Sequence, residues 1–133
     1  MNRPIALLLA VGLMACTSGG TMAENRVPTG SWGGEHVRLT VSDPGGTVEF
    51  DCAHGTLDAP LKVDTEGRFD VPGSLVREGG PATPGGESDR QSVRYSGRVN
   101  GSSMDLDLRR EAGEALGSFR LKMGERGKLL KCL

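Results

Sequence analysis

From Val37 onward, apolar and polar residues alternate with a period of two over most of the chain, and no stretch carries the 3.6-residue period of a helix. Val37, Leu39 and Val41 share one face, with Arg38 and Thr40 opposite. The stretch "DPGG" (43–46) supplies a turn, after which Val48, Phe50 and Cys52 continue against Glu49 and Asp51. A bend is expected at 53–55, followed by Leu57, Ala59, Leu61 and Val63. "DTEG" (64–67) turns the chain toward Phe69, Val71 and Leu75, and alternation resumes at Val93, Tyr95 and Val99. Asn100-Gly101 is a strong signal for a two-residue hairpin turn, with Met104, Leu106 and Leu108 pairing back across it. Phe119, Leu121 and Met123 form a seventh run, and "GERG" (124–127) leads to a last one ending at Leu130 and Cys132.

About eight short strands joined in sequence by tight turns predict an all-β domain over 31–133. A meander of that length removes its exposed edges by closing into a small antiparallel up-and-down β-barrel. A two-sheet β-sandwich is the alternative arrangement of the same strands.

The chain opens differently. Arg3 precedes the apolar run Ile5–Leu13, which is shorter than the roughly 20 residues a permanent membrane span requires. The run fits a secretory signal peptide over residues 1–15. Leu13-Met14-Ala15-Cys16 resembles the lipobox of bacterial lipoproteins, with Met14 standing where a small residue is usual. That resemblance implies acylation of Cys16, a lipid anchor in the membrane, and residues 16–30 as a flexible tether. Thr17 in place of Asp implies sorting to the outer membrane, facing the periplasm. Ordinary cleavage after Ala23, with Thr21 and Ala23 at the small-residue positions, would instead release a secreted or periplasmic protein.

Export changes how the remaining cysteines read. An oxidising compartment favours a disulfide, and once Cys16 is set aside Cys52 and Cys132 have one possible pairing. Closing a loop of about 80 residues would contribute roughly 4.5 kcal/mol on the chain-entropy model. The competing reading joins both cysteines to His36 and His54 in a zinc set. Its spacing is poor, because only Cys52 and His54 are close in sequence. His54 shares the parity of Cys52 and is expected at the barrel rim.

"GSWGG" (30–34) resembles the Gly-x-Trp opening of lipocalins and avidins. The resemblance implies that Trp32 plugs the closed end of a barrel, with a basic side chain from a late strand, Arg120, lying over its ring. A single tryptophan argues against an avidin-type biotin site, which uses several. The chain from "GSWGGEHVRL" through "FDCAHGT" to "KCL" also resembles a family of small exported bacterial proteins with no assigned activity. Phe50-Asp51-Cys52 and Lys131-Cys132-Leu133 are similar to the cysteine-bearing ends of lipoprotein inhibitors of C-type lysozyme, also eight-stranded barrels.

A net charge of −1 with scattered arginines offers no basic field for nucleic acid. The chain carries no nucleophile elbow, phosphate loop or metal triad, so neither an enzyme nor a cofactor is expected. Glu35-His36 is adjacent in sequence and would point to opposite faces of a strand. The long Pro/Gly loop "REGGPATPGGESD" (77–89), flanked by Arg77, Glu78, Arg90 and Arg94, is the candidate binding loop. Two functions remain: an envelope binding module for a small apolar ligand or a protein partner, and a protein inhibitor of a lytic enzyme that presents this loop. An interior cavity of about 300 Å³ or more favours ligand binding. Mass spectrometry of the native protein, intact and after reduction, is expected to show an acyl mass on Cys16 and a gain of two hydrogens on reduction. Free thiols alongside stoichiometric zinc would overturn the disulfide.

Overall fold

The alternating runs pair into one sheet that closes on itself. The computed structural model describes residues 25–78 and 90–132, together with Gly12. Eight antiparallel strands follow in chain order: β1 (Gly30–Gly34), β2 (Val37–Ser42), β3 (Gly45–Phe50), β4 (Ala53–Leu57), β5 (Arg68–Arg77), β6 (Arg90–Asn100), β7 (Ser103–Arg110) and β8 (Ala115–Met123). Each pairs with its sequence neighbours, and β8 returns to β1 through Trp32↔Met123, Gly33↔Lys122 and Gly34↔Leu121. The protein is therefore a closed up-and-down barrel and not a sandwich. The signal-peptide reading, Cys16 and residues 79–89 of the expected loop lie outside the described residues.

The strand count agrees with the periodicity, but the strands are not the eight expected. "GSWGG" is itself β1. Its glycines look like poor strand formers, yet they are required by what passes over them: a Cβ on Gly33 would fall on the backbone of Glu125–Gly127, and one on Gly34 on the carbonyl of Arg120. The bend foreseen at 53–55 is strand β4; the chain turns one step earlier, at Asp51–Cys52. Residues 58–67, carrying Leu61 and Val63, form a loop instead of a third strand. The Asn100 hairpin is shifted by one residue: Asn100 pairs with Ser103, leaving Gly101 and Ser102 as the turn, with Gly101 at φ 62°.

The last run, 124–132, is not a strand. It leaves β8 at Gly124, whose N–H donates to the Ser31 carbonyl (2.7 Å), and crosses the outside of β1 in the same direction. Lys128 N–H donates to Gly34 O (2.9 Å), and His36 N–H donates to Lys128 O (2.8 Å). Arg38 Nε clamps the Arg126 carbonyl from the side (2.6 Å). The tail is thus a strap along β1, running from one end of the barrel to the other.

The two ends differ. At the closed end Val27 and Leu61 are both buried, joined by Val27 N–H donating to Leu61 O (2.9 Å). Val63 N–H donates to Asn25 O (2.8 Å) beside them. Residues 25–28, the last part of the expected tether, therefore belong to the barrel floor. Trp32 sits above this floor, fully buried, with its indole N–H donating to Pro28 O (3.0 Å). Arg120 does not cover the ring. It lies on the opposite, solvent face of β8 and pairs with Asp105 (3.2 Å), because Ser118, Arg120 and Lys122 share the outward phase of that strand.

Above Trp32 the interior is filled by Leu39, Val48, Val71, Val93, Met104, Leu106 and Leu121, each burial contributing about 1.5–3 kcal/mol. Tyr95 is fully buried over Gly55 and Gly73, where a Cβ would collide with its hydroxyl and its ring respectively. The bare backbone of these glycines makes the space for the ring. The Tyr95 hydroxyl donates to the Ser74 carbonyl (2.7 Å), and burial pushes its ionisation above the usual range. Replacing Tyr95 by Phe removes this buried hydrogen bond while keeping the shape. Stability should fall by about 1–2 kcal/mol, seen as a loss of roughly 4–16 °C in Tm; thermal denaturation followed by circular dichroism checks it.

Candidate functional site

At the end opposite the floor the packing stops short of the rim. Inward positions of β3, β5, β7 and β8 supply Phe50, Leu75, Leu108 and Phe119, with Leu116 at the lip. Phe50 and Phe119 meet with ring centroids 4.9 Å apart and form an aromatic wall. Above them opens a cavity of about 580 Å³, lined also by Ala53, Gln91, Arg77, Glu78, Arg110, His36, Asp51 and Cys52. The cup is apolar inside and charged at the rim.

One side of the rim is built by the strap. Asp51, in the β3–β4 turn, receives three contacts: Leu130 N–H donates to Oδ1 (2.8 Å), His36 Nδ1 meets Oδ2 (2.5 Å), and Cys132 N–H donates to the backbone carbonyl (3.1 Å). Lys131 Nζ donates to Phe50 O (3.1 Å) and Glu78 Oε2 (2.8 Å). Glu78 N–H donates to Cys52 O (2.8 Å), tying the end of β5 to the same turn. Cys52 and Cys132 stand at disulfide distance, with Cα atoms 5.1 Å apart and 80 positions between them in sequence.

The competing zinc set does not assemble among the described residues. The two cysteines face each other, while His36 contacts Asp51 and His54 lies 3.6 Å from Glu78. His54 points outward from β4, opposite Glu49, because the turn at Asp51–Cys52 breaks the parity it was expected to share with Cys52. His36, in the two-residue β1–β2 turn, has a φ of 67°, a left-handed conformation costly for a side-chain-bearing residue. The bonds to Asp51 and Lys128 hold it there.

Of the four residues flanking the expected loop, Arg77 and Glu78 reach the cup. Arg94 does not: it lies on the outer face of β6, bonded to Asp70 (2.8 Å) and near Glu111 (3.9 Å). Arg90 is exposed at the start of β6, at an outward position beside Val76. Arg110 was missed, although its position showed a signal. It continues the apolar phase of Met104, Leu106 and Leu108, just as Arg77 continues that of Val71 and Leu75. A charge in register with a core face marks the point where the barrel interior opens. Asp51 and Lys131 gave no comparable signal, since their roles depend on the strap.

No protein-family model, curated protein or solved structure matches this chain. Fold and cup therefore define it as a small closed antiparallel barrel, filled at one end and hollow at the other.

The amide of Leu130, chiefly, together with His36 and Lys131, holds the Asp51 carboxyl below the ordinary range against the opposing effect of burial. The Lys131 ammonium does the same for Glu78. Because the folded values are depressed, these contacts stabilise fully above the ordinary carboxylate value of about 4 and weaken as the pH falls toward the lower folded values. Substituting Asp51 by Ala should lower hydrogen-exchange protection of the Leu130 amide by about tenfold or more at neutral pH. Acidifying the unmodified protein to about pH 3 should act in the same direction. Unchanged protection in both cases would mean that the Asp51 carboxylate does not hold the strap.

Proposed function

We propose that this protein is a non-enzymatic binding module of the bacterial cell envelope that holds a small apolar or amphiphilic molecule in the open end of its barrel. The observation that carries this reading is the cup of about 580 Å³ walled by Phe50, Leu75, Leu108 and Phe119. Its volume falls within the range of about 300–1,000 Å³ usual for small-molecule sites. An apolar concavity left open on a folded domain loses stabilisation that a bound molecule would restore, and selection for stability alone would fill it.

The envelope assignment rests on two features that agree. A signal-like apolar run with a lipobox-like end precedes the domain, and two cysteines sit at bonding distance in a chain of this size. The inhibitor alternative depends on residues 79–89, which lie outside the described residues.

Titration with the neutral fluorophore N-phenyl-1-naphthylamine tests the reading. Fluorescence should rise on binding with a micromolar dissociation constant. Leu75→Trp, which fills the cup from β5, should abolish the rise without lowering Tm, because the added ring enters open space and does not overpack the core. Equal fluorescence from both proteins would rule out the cup as the site.

A further inference from the structure

The apolar wall of the cup carries two cations that its packing does not use. Arg77 ends the inward face of β5, after Val71, Gly73 and Leu75; Arg110 ends that of β7, after Leu106 and Leu108. Both line the cavity, from strands separated by β6, whose Gln91 contributes an amide to the same lining. The rim carboxylates are already engaged elsewhere: Asp51 by the Leu130 amide and His36, and Glu78 by Lys131. Arg77 has no carboxylate within ion-pair distance among the described residues. Arg110 meets only Glu114 (3.3 Å), on its own turn, where both side chains are about half exposed or more. Such a pair contributes about 0–1 kcal/mol and is readily exchanged for a better one.

An arginine placed in the phase of a core face, beside apolar side chains and with the rim acids Asp51 and Glu78 held by other partners, presents its donors to whatever occupies the hollow. Guanidinium groups match carboxylate and phosphate geometry, and their bonds to such groups are roughly twice as strong as neutral ones. A purely apolar guest would offer neither cation a partner, and a cationic guest would be repelled.

We propose that the ligand is an amphiphile with an acidic head, carboxylate or phosphate, whose hydrocarbon part lies against Phe50, Leu108 and Phe119 while Arg77 and Arg110 hold the head at the rim. This rests on the cup being the binding site and adds the chemistry it selects. Glu114 is then the head group's competitor for Arg110.

Isothermal titration calorimetry with decanoate, decyl phosphate, decanol and decyltrimethylammonium, below their micellar concentrations, separates the possibilities. The two acids should bind about 10- to 100-fold more tightly than decanol, and the cation should not bind measurably. Comparing the two acids shows which head is preferred. Arg77→Gln and Arg110→Gln, each checked for an unchanged far-ultraviolet spectrum, should bring the acids close to decanol and leave decanol's own affinity in place. Glu114→Gln should strengthen acid binding by about 1.5- to 5-fold, an effect that a structural role of Arg110 would not produce. Decanol binding as tightly as decanoate, or arginine variants that bind the acids normally, overturns the acidic-head assignment while the cup remains a binding site. Failure of all four chains to bind overturns both.

Discussion

Closing the sheet at the seam between β1 and β8 is the constraint on which the rest of the molecule depends. Only three residue pairs make that seam, fewer than at any other strand junction of the barrel. An open edge there would leave backbone donors and acceptors of β1 unpaired. The chain reinforces the seam from outside by laying residues 124–132 along β1, an approach that glycine at 33 permits, while glycine at 34 lets β1 close against the Arg120 carbonyl of β8. Cys132, at disulfide distance from Cys52, ends the strap at the β3–β4 turn, across the three strands next to that join.

How much of this could be read from the residues follows from where local pattern ends and long-range packing begins. Alternation at Val37–Val41, Val48–Phe50 and Met104–Leu108 reports a pleated surface with one buried side, and those runs are strands as expected. It failed where a strand carries glycine and where an alternating run has no partner. "GSWGG" pairs on both sides despite its glycines, because a backbone must pass close by. Leu61 alternates like a strand residue but serves as a floor plug, its neighbours held by the segment at Asn25–Val27. The final run alternates too, yet both edges of the closed sheet are already taken.

The site was legible only in part, for the same reason. Cys52 and Cys132 could be paired by counting, and Arg77 was noticed as a loop flank. Its significance lies in its phase, which it shares with Arg110, and phase matters only once the direction of the barrel interior is known. Arg94 has similar sequence surroundings and the opposite parity, so it spends its charge on Asp70. Trp32 occupies the expected place near the closed end, whereas the cation expected over it points into water because strand parity outranks any general preference for stacking.

The polarity of the barrel has a bearing on how the molecule would stand. The segment at Asn25–Pro28 enters beneath Trp32, at the floor, while the hollow opens at the far end beside the tip of the strap. Stem and mouth thus occupy opposite poles of the barrel, and a guest can enter the hollow without passing the incoming chain.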